Sequence, residues 1–386
     1  MNDYSLYFYM KRSVLLFLCF IMLSCSKTGE PVGDLDIINV DINEMSSINE
    51  FVCGESKYIC LDSSENCLIE KVDKVMISQD TLFVMDRSRR TVFVFSANDG
   101  RFINKISKTG RGPGEYIDLS DCDIWHGLIY ILSYPDQKLN VYSPKGELIR
   151  SIELPNQYSK LKVVDEGKVW LYAENSNSDL YNFAQLDMAS GAIDVKFDPF
   201  AENCGYHKDA SPFCGQCEDC LYVGKYFDSR IYALSDHEYK PIYDLRLNLQ
   251  NKVPHADLEK YTLMELSETY RYKEVLHNVT YVTRHDNSLF ITARCFFSEL
   301  GMRDCMIKFD LKSRRVHFLR IGDVLDEHYR FFGRGSIVGY AKNIVISAID
   351  AFAITRMLES NKISDSRLLN VKDTDNPVIV LHNLAI

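Results

Sequence analysis

Asp80-Thr-Leu-Phe-Val-Met-Asp86, Thr91-Val-Phe-Val-Phe-Ser96 and Arg101-Phe-Ile-Asn-Lys-Ile106 are three short apolar or alternating runs, with Gly100 ahead of the third. The phrase returns as Gly127-Leu-Ile-Tyr-Ile-Leu-Ser133, Leu139-Asn-Val-Tyr-Ser143 and Glu147-Leu-Ile-Arg-Ser-Ile152, with Gly146 ahead of the last. Phe83 falls on Tyr130, Phe95 on Tyr142 and Ile106 on Ile152. A fourth run precedes each trio, at 72–77 and at 117–125. Runs this short, rich in Val, Ile, Phe and Tyr, read as strands. Four strands in a unit of about 45 residues is the arithmetic of a propeller blade.

The pattern decays but continues. Lys168-Val-Trp-Leu-Tyr172 with 183–187 and 191–197 makes a third unit, and Cys220-Leu-Tyr-Val223 with 230–234 and 239–245 a fourth. Ser288-Leu-Phe-Ile-Thr292 with 306–310 and 316–319 makes a fifth, and 336–340 with 343–347 and 377–381 a sixth. The sixth lacks an outer strand, which Lys57-Tyr-Ile-Cys-Leu61 can supply, closing the ring with both chain ends and removing exposed edges. Two stretches, 256–273 and 351–360, have helical spacing of apolar residues. The expected fold is all-β: a six-bladed β-propeller of four-stranded blades with two short helical insertions.

Upstream, Met10-Lys11-Arg12 is a short positive segment, followed by a largely apolar run from Val14 to Leu23. That run is too short to span a membrane, which takes roughly 20 residues, and has the form of an export signal. It ends in Met22-Leu23-Ser24-Cys25, a lipobox-like junction that makes Cys25 the expected lipid acceptor. The expected organisation is a signal over 1–24, a lipidated tether over 25–36 and the propeller over 37–386. The expected address is the cell envelope, lipid-anchored to a membrane, most simply the outer one.

The net charge is −10, and losing Asp3, Lys11 and Arg12 with the signal shifts it by one unit to about −11. There is no global basic field, which argues against nucleic acid as partner. Aromatics at 12% with ten prolines suit a strand-rich globular chain.

Gly110-Arg-Gly-Pro-Gly-Glu-Tyr116, preceded by Val94-Phe95 and Asp99-Gly100, resembles a phrase of the six-bladed β-propeller lipoproteins of gut Bacteroidetes, relatives in shape of NHL and TolB-like propellers. Asp375-Asn376-Pro377 and the run after it are similar to that family's closing strand. The resemblance implies the fold and the envelope address and no firm activity. The chain departs from the pattern in its cysteine-rich segment.

That segment, Cys204, His207, Cys214, Cys217 and Cys220, has spacing that suits either disulfides in an oxidising compartment or a tetrahedral metal. Free thiols are the third reading. The expectation is at least one disulfide, with no metal and no cofactor. Gly110 to Tyr116 is glycine-rich but lacks the Gly-Lys-Ser/Thr ending of a phosphate loop, so it reads as a crossover between blades one and two.

In a four-stranded blade, loops between strands two and three share a face with the crossovers between blades. Arg87, Arg89 and Arg90 lie in such a loop, and Arg111 and Tyr116 in a crossover. Tyr329, Phe331, Phe332 and Arg334 lie in another crossover, and both helical insertions and the cysteine segment are expected on the same face. Arginine forks suit carboxylate or sulfate, and aromatic rings can stack on sugars. Asp118, Asp121 and Asp123 approach or enter an inner strand, where carboxylates face the central channel. Three functions stay open: a tethered module binding an acidic glycan, a peptide or an envelope protein; a propeller hydrolase or lyase using channel carboxylates; a scaffold subunit of an envelope complex.

Overall fold

Each residue of β-strand alternates sides, so a strand packed between two neighbours must be apolar at every position. The run 81–86 shows why this sequence makes a ring of blades. Leu82 and Val84 enter the apolar cluster shared with blade six, while Phe83 and Met85 enter the cluster shared with blade two. The computed structural model of the protein describes residues 35–174, 181–199, 211–217, 219–323, 336–360 and 366–385. Residues 37–386 group as one compact unit.

The chain enters through β1 (Asp36–Val40) and β2 (Val52–Cys60), neither of which belongs to the first blade. Blade one is then β3 (Lys74–Ser78), β4 (Thr81–Asp86), β5 (Thr91–Ser96) and β6 (Phe102–Ile106), from channel to rim. Blade two is β7 (Asp121–Trp125), β8 (Leu128–Ser133), β9 (Lys138–Tyr142) and β10 (Leu148–Glu153). Blade three is β11 (Lys160–Val163), β12 (Lys168–Tyr172), β13 (Tyr181–Asp187) and β14 (Ile193–Pro199). Blade four is β15 (Phe213–Gln216), β16 (Leu221–Gly224), β17 (Arg230–Leu234) and β18 (Tyr239–Leu247), with β1 added outside β18 as a fifth strand. Blade five is β19 (Val275–His285), β20 (Ser288–Phe297), β21 (Gly301–Asp310) and β22 (Val316–Arg320). Blade six is β23 (Ser336–Ala341), β24 (Ile344–Ile349) and β25 (Val378–Leu384), with β2 as its outer strand.

The ring is therefore a six-bladed propeller closed by its two ends, as the repeat implied. β2 pairs antiparallel with β25, with Lys57 opposite Leu381 and Cys60 opposite Val378. Asn376 pins the junction. Its side chain accepts from Ile69 N at 2.8 Å and donates to the carbonyls of Asp62 and Cys67, each at 2.8 Å. Six apolar clusters lie one between each pair of neighbouring blades. At about 1.5–3 kcal/mol per fully buried Val, Leu, Ile or Phe, these inter-blade faces dominate the stability.

Three features differ from the sequence expectation. β1 was not anticipated as a strand on blade four. The hairpin of blade five is longer than its apolar core, because Arg294 and Asp304 pair across it at 2.9 Å and let strands continue through polar positions. The stretch 256–273 is two helices, His255–Lys260 and Leu263–Tyr270, because Thr262 starts a new one: its hydroxyl accepts from Glu265 N, and the Glu265 carboxylate accepts from Thr262 N. The second insertion is one helix, Ala351–Glu359.

Candidate ligand face

The strand order assigns loops to two faces. Turns between second and third strands and the blade-to-blade crossovers lie on one face, here the crossover face. The remaining hairpins lie on the opposite one.

The arginine turn at 87–90 is on the crossover face and is built around Asp86. This carboxylate is fully buried and accepts from Glu70 N at 2.8 Å, Lys71 N at 3.3 Å, Arg89 N at 3.0 Å and Ser88 Oγ at 2.8 Å. It thus satisfies turn and crossover amides together. Tyr116 braces the other end, its hydroxyl donating to Arg90 O at 2.8 Å and to Ile106 O at 3.2 Å. The side chains leave this frame outward. Arg89 approaches Glu70 at 3.9 Å and Asp86 itself at 4.0 Å, and Arg90 approaches Asp118 at 3.9 Å. Both arginines are about half exposed, so these pairs are weak. Among the described residues neither Arg87 nor Arg111 has a carboxylate partner within ion-pair distance.

Tyr116 corrects the sequence reading. It is 0% exposed, so its ring braces the loop and is out of reach for stacking on a sugar. The surrounding phrase Gly110 to Tyr116 is explained the same way. Glu115 folds back to accept from Gly112 N at 2.7 Å, and a Cβ at Gly110 would lie 2.0 Å from that carboxylate. Gly114 adopts φ +70°, and its carbonyl accepts from Tyr142 OH at 2.6 Å. Amides that a phosphate loop would offer a ligand are used internally here, and Arg111 is left exposed on a rigid loop.

At the channel mouth the inner strands carry a second set of charges. Asp121 takes Lys74 Nζ at 3.0 Å and Leu161 N at 3.0 Å. Asp123 takes Lys162 Nζ at 2.9 Å and Val163 N at 2.9 Å. Each carboxylate is therefore a rung between the inner strands of blades two and three. Burial alone would raise the Asp123 pKa, but Lys162 and Lys74 overcome it and hold the group below the ordinary carboxylate range. Burial lowers the Lys160 pKa; Asp121 and Glu174 oppose this, while the Arg87 and Lys74 charges add to it. Asp118 accepts from Ser120 Oγ at 3.1 Å beside Arg90. Asp121 and Asp123 are thus committed to lysines and backbone amides, an arrangement suited to holding the channel wall. Lysines 74, 160 and 162 escaped the sequence reading, although two of them, Lys160 and Lys162, alternate on one inner strand.

The cysteines divide. Cys217 and Cys220 are joined as a disulfide in the β15–β16 turn. That turn is on the hairpin face, contrary to the expected crossover face, because β15 is the first strand of its blade and its exit lies opposite the crossover. Cys214 is buried between blades four and five, which pushes its thiol pKa up. Among the described residues no three His, Cys, Asp or Glu side chains are close enough to hold a metal. Cys25, Cys204, His207, Tyr329, Phe331, Phe332 and Arg334 lie outside the described residues.

Blade four holds a buried carboxylate that sequence reasoning missed. Asp228 is 1% exposed and binds Arg230 Nε at 3.1 Å and Tyr232 OH at 2.6 Å, with His255 Nδ1 3.5 Å away. Nothing in the local sequence marks it, since His255 arrives from the crossover.

No curated protein sequence matches the chain. A crystal structure of a protein described as exported from Bacteroides fragilis superposes with a TM-score of 0.69 at 16% identity, covering 91% of this chain and 100% of that one. A member of the DUF4221 family from Bacteroides vulgatus superposes with a TM-score of 0.52 at 10% identity, covering 87% of this chain and 97% of that one. At these identities the likeness is one of fold. Residues 35–383, the whole ring with β1, match the family described as Domain of unknown function (DUF4934), and the chain belongs to that family.

Proposed function

We propose that the protein is an exported, envelope-tethered binding module that presents a rigid arginine face to an acidic ligand, a glycan or peptide bearing carboxylate or sulfate groups. The observation that carries this reading is the frame around the arginine turn. Asp86 and Tyr116 immobilise the backbone at 86–90 while, among the described residues, Arg87 has no carboxylate within ion-pair distance. Half-exposed arginines gathered on one fixed turn, on a chain of net charge −10, suit an anion. Arg111 on its braced loop extends the same face. A guanidinium already positioned loses little entropy on binding a planar anion.

The export signal and Cys25 supply the address, and the exported description of the Bacteroides fragilis relative agrees with it. Binding is tested with a panel of acidic glycans and peptides at low and high salt. Arg87→Ala and Arg111→Ala are each expected to weaken binding about tenfold, and salt to weaken it in the wild type. Binding that ignores both substitutions and salt would place the site elsewhere. The address is tested separately with Cys25→Ala, which is expected to abolish lipid labelling.

A further inference from the structure

The chain joins the ring from the hairpin face, opposite the arginine turn. Ile37 O accepts from Arg314 Nη2 at 2.8 Å, and Arg314 stands in the β21–β22 turn on that face. Further on, Val40 O accepts from Asn248 N at 3.2 Å, where β18 runs out towards the crossover face. β1 therefore runs parallel with β18 and starts at the hairpin side of the rim. Ten residues lie between Cys25 and Asp36, so even fully extended they hold the start of β1 within about 40 Å of Cys25.

The turns around this point of entry are basic. The β21–β22 turn carries Lys312, Arg314 and Arg315, the end of β19 carries Arg284, and the β23–β24 turn carries Lys342. All five are exposed. Hydrogen bonds join the three turns into one surface: Leu311 N donates to Asn287 O and Tyr281 OH to Lys342 O, each at 2.7 Å. Among the described residues no carboxylate lies within ion-pair distance of Lys312, Arg315 or Lys342. Asp310 is engaged by the amides of Lys312 and Ser313, at 3.0 and 2.6 Å, and Asp286 stands 3.6 Å from His285. The matching turns of blades three and four are acidic instead, with Asp165, Glu166, Asp236 and Glu238.

We propose that the basic turns of blades five and six dock on anionic lipid headgroups of the membrane that holds the tether, with the hairpin face towards the bilayer and the arginine turn at 87–90 facing away. The tether rests on the export reading above; the docking surface rests on its charge and on where β1 begins. A chain of net charge −10 is not drawn to an anionic bilayer as a whole, so a local surface must supply the attraction. That attraction acts only within a Debye length, about 10 Å at 0.1 M salt. The anchor provides the proximity, because the chain enters on the same turns. Each cation held near an anionic surface strengthens binding about fivefold. The acidic turns of blades three and four are repelled, so contact is made on the blade five and six side.

The test uses the processed chain, residues 25–386, carrying Cys25→Ala so that no lipid masks the weaker attraction; residues 37–386 form one compact unit. It is sedimented with phosphatidylcholine vesicles with and without phosphatidylglycerol, at low and high salt. The expected result is binding only to vesicles that contain phosphatidylglycerol, and its loss at high salt. Replacing Lys312→Ala and Arg315→Ala together should weaken it about 25-fold, whereas Lys71→Ala on the crossover side should leave it unchanged. Amine labelling of the vesicle-bound wild type gives a second readout. Lys312 and Lys342 should be protected, while Lys71, with a side chain 70% exposed, should react as it does free in solution. No binding to phosphatidylglycerol vesicles, binding that survives the double substitution, or protection of Lys71 in place of Lys312 would each overturn the proposal. Vesicle binding as expected, with Cys25 recovered unlipidated from cells, would support the basic surface and count against the export reading. Lipid-labelled Cys25 without vesicle binding would remove the surface alone.

Discussion

Blades one and four each bury a carboxylate beside the turn between their second and third strands, and they use it in opposite ways. Asp86 takes its hydrogen bonds from backbone amides and a serine, and Arg89 Nε stands off at 4.0 Å, so among the described residues no arginine side chain of the turn is hydrogen-bonded to it. Asp228 accepts from the Arg230 amide as well, but it also binds side chains directly: the Arg230 guanidinium and a tyrosine hydroxyl, with a histidine nearby. One carboxylate builds a display frame; the other makes a closed internal network. An arginine beside a buried aspartate stays available to a ligand where amides and a hydroxyl fill the carboxylate, as at Asp86, and is spent where its guanidinium hydrogen-bonds the carboxylate directly, as Arg230 does at Asp228.

Removing the carboxylate on the blade four side should have the largest effect. Asp228→Ala strands the Arg230 charge and is expected to cost about 3–5 kcal/mol in denaturant melts, while leaving ligand affinity per folded molecule unchanged. Acid comes next. No histidine lies within residues 61–120, whereas His255 approaches Asp228 and His382 is buried at the ring closure. Burial holds the His382 pKa at about 4, below its ordinary 6.5. Between those values the unfolded chain binds a proton that the folded chain refuses. Stability present above pH 6.5 should therefore be lost as pH falls towards 4, by on the order of 3 kcal/mol. His255, also lowered by burial against the opposing pull of Asp228, adds loss in the same direction. Melts across this range in wild type and His382→Gln measure the slope, and an equal slope in both would remove His382 as its cause.

Asp86→Ala is expected to cost about 2 kcal/mol by orphaning the amides of Glu70, Lys71 and Arg89, and to weaken binding of the acidic ligand as strongly as losing Arg87 itself. Equal affinity in a folded Asp86→Ala protein would break the display-frame idea. Tyr116→Phe removes the hydroxyl's bond to Arg90 O in that turn and its bond to Ile106 O at the end of β6, and should cost about 1 kcal/mol, with a smaller loss of affinity. Arg87→Ala should change stability by less than about 0.5 kcal/mol, since the side chain makes no ion pair among the described residues, and should register only in binding.

The blade repeat was readable because its signal is local: strands of alternating or wholly apolar residues between turns, as at 81–86 and 128–133. The partner face of each residue was not. That Leu82 meets blade six and Phe83 meets blade two depends on ring closure. The arginines were visible as a charged turn, but Tyr116, taken for a stacking ring, proved to be its brace because its hydroxyl finds carbonyls at Arg90 and Ile106. The cysteine turn was set on the wrong face because its blade begins inside the segment, and β1 passed unnoticed because five residues beside a rim carry no repeat.

The number of blades, the supply of the last outer strand from the N-terminal side and the residues available for display could all be read along the chain. These follow from chain-local periodicity and the need to cover sheet edges. Which charges remain for a ligand depends on how the blades meet. Asp121 and Asp123 were equivalent candidates with Asp118 on paper. They are taken out of play by Lys74, Lys162 and the amides of Leu161 and Val163, which come from neighbouring blades. A charge is available or spent according to the donors that folding brings within hydrogen-bond distance, and in a propeller those donors belong to the next blade round the ring.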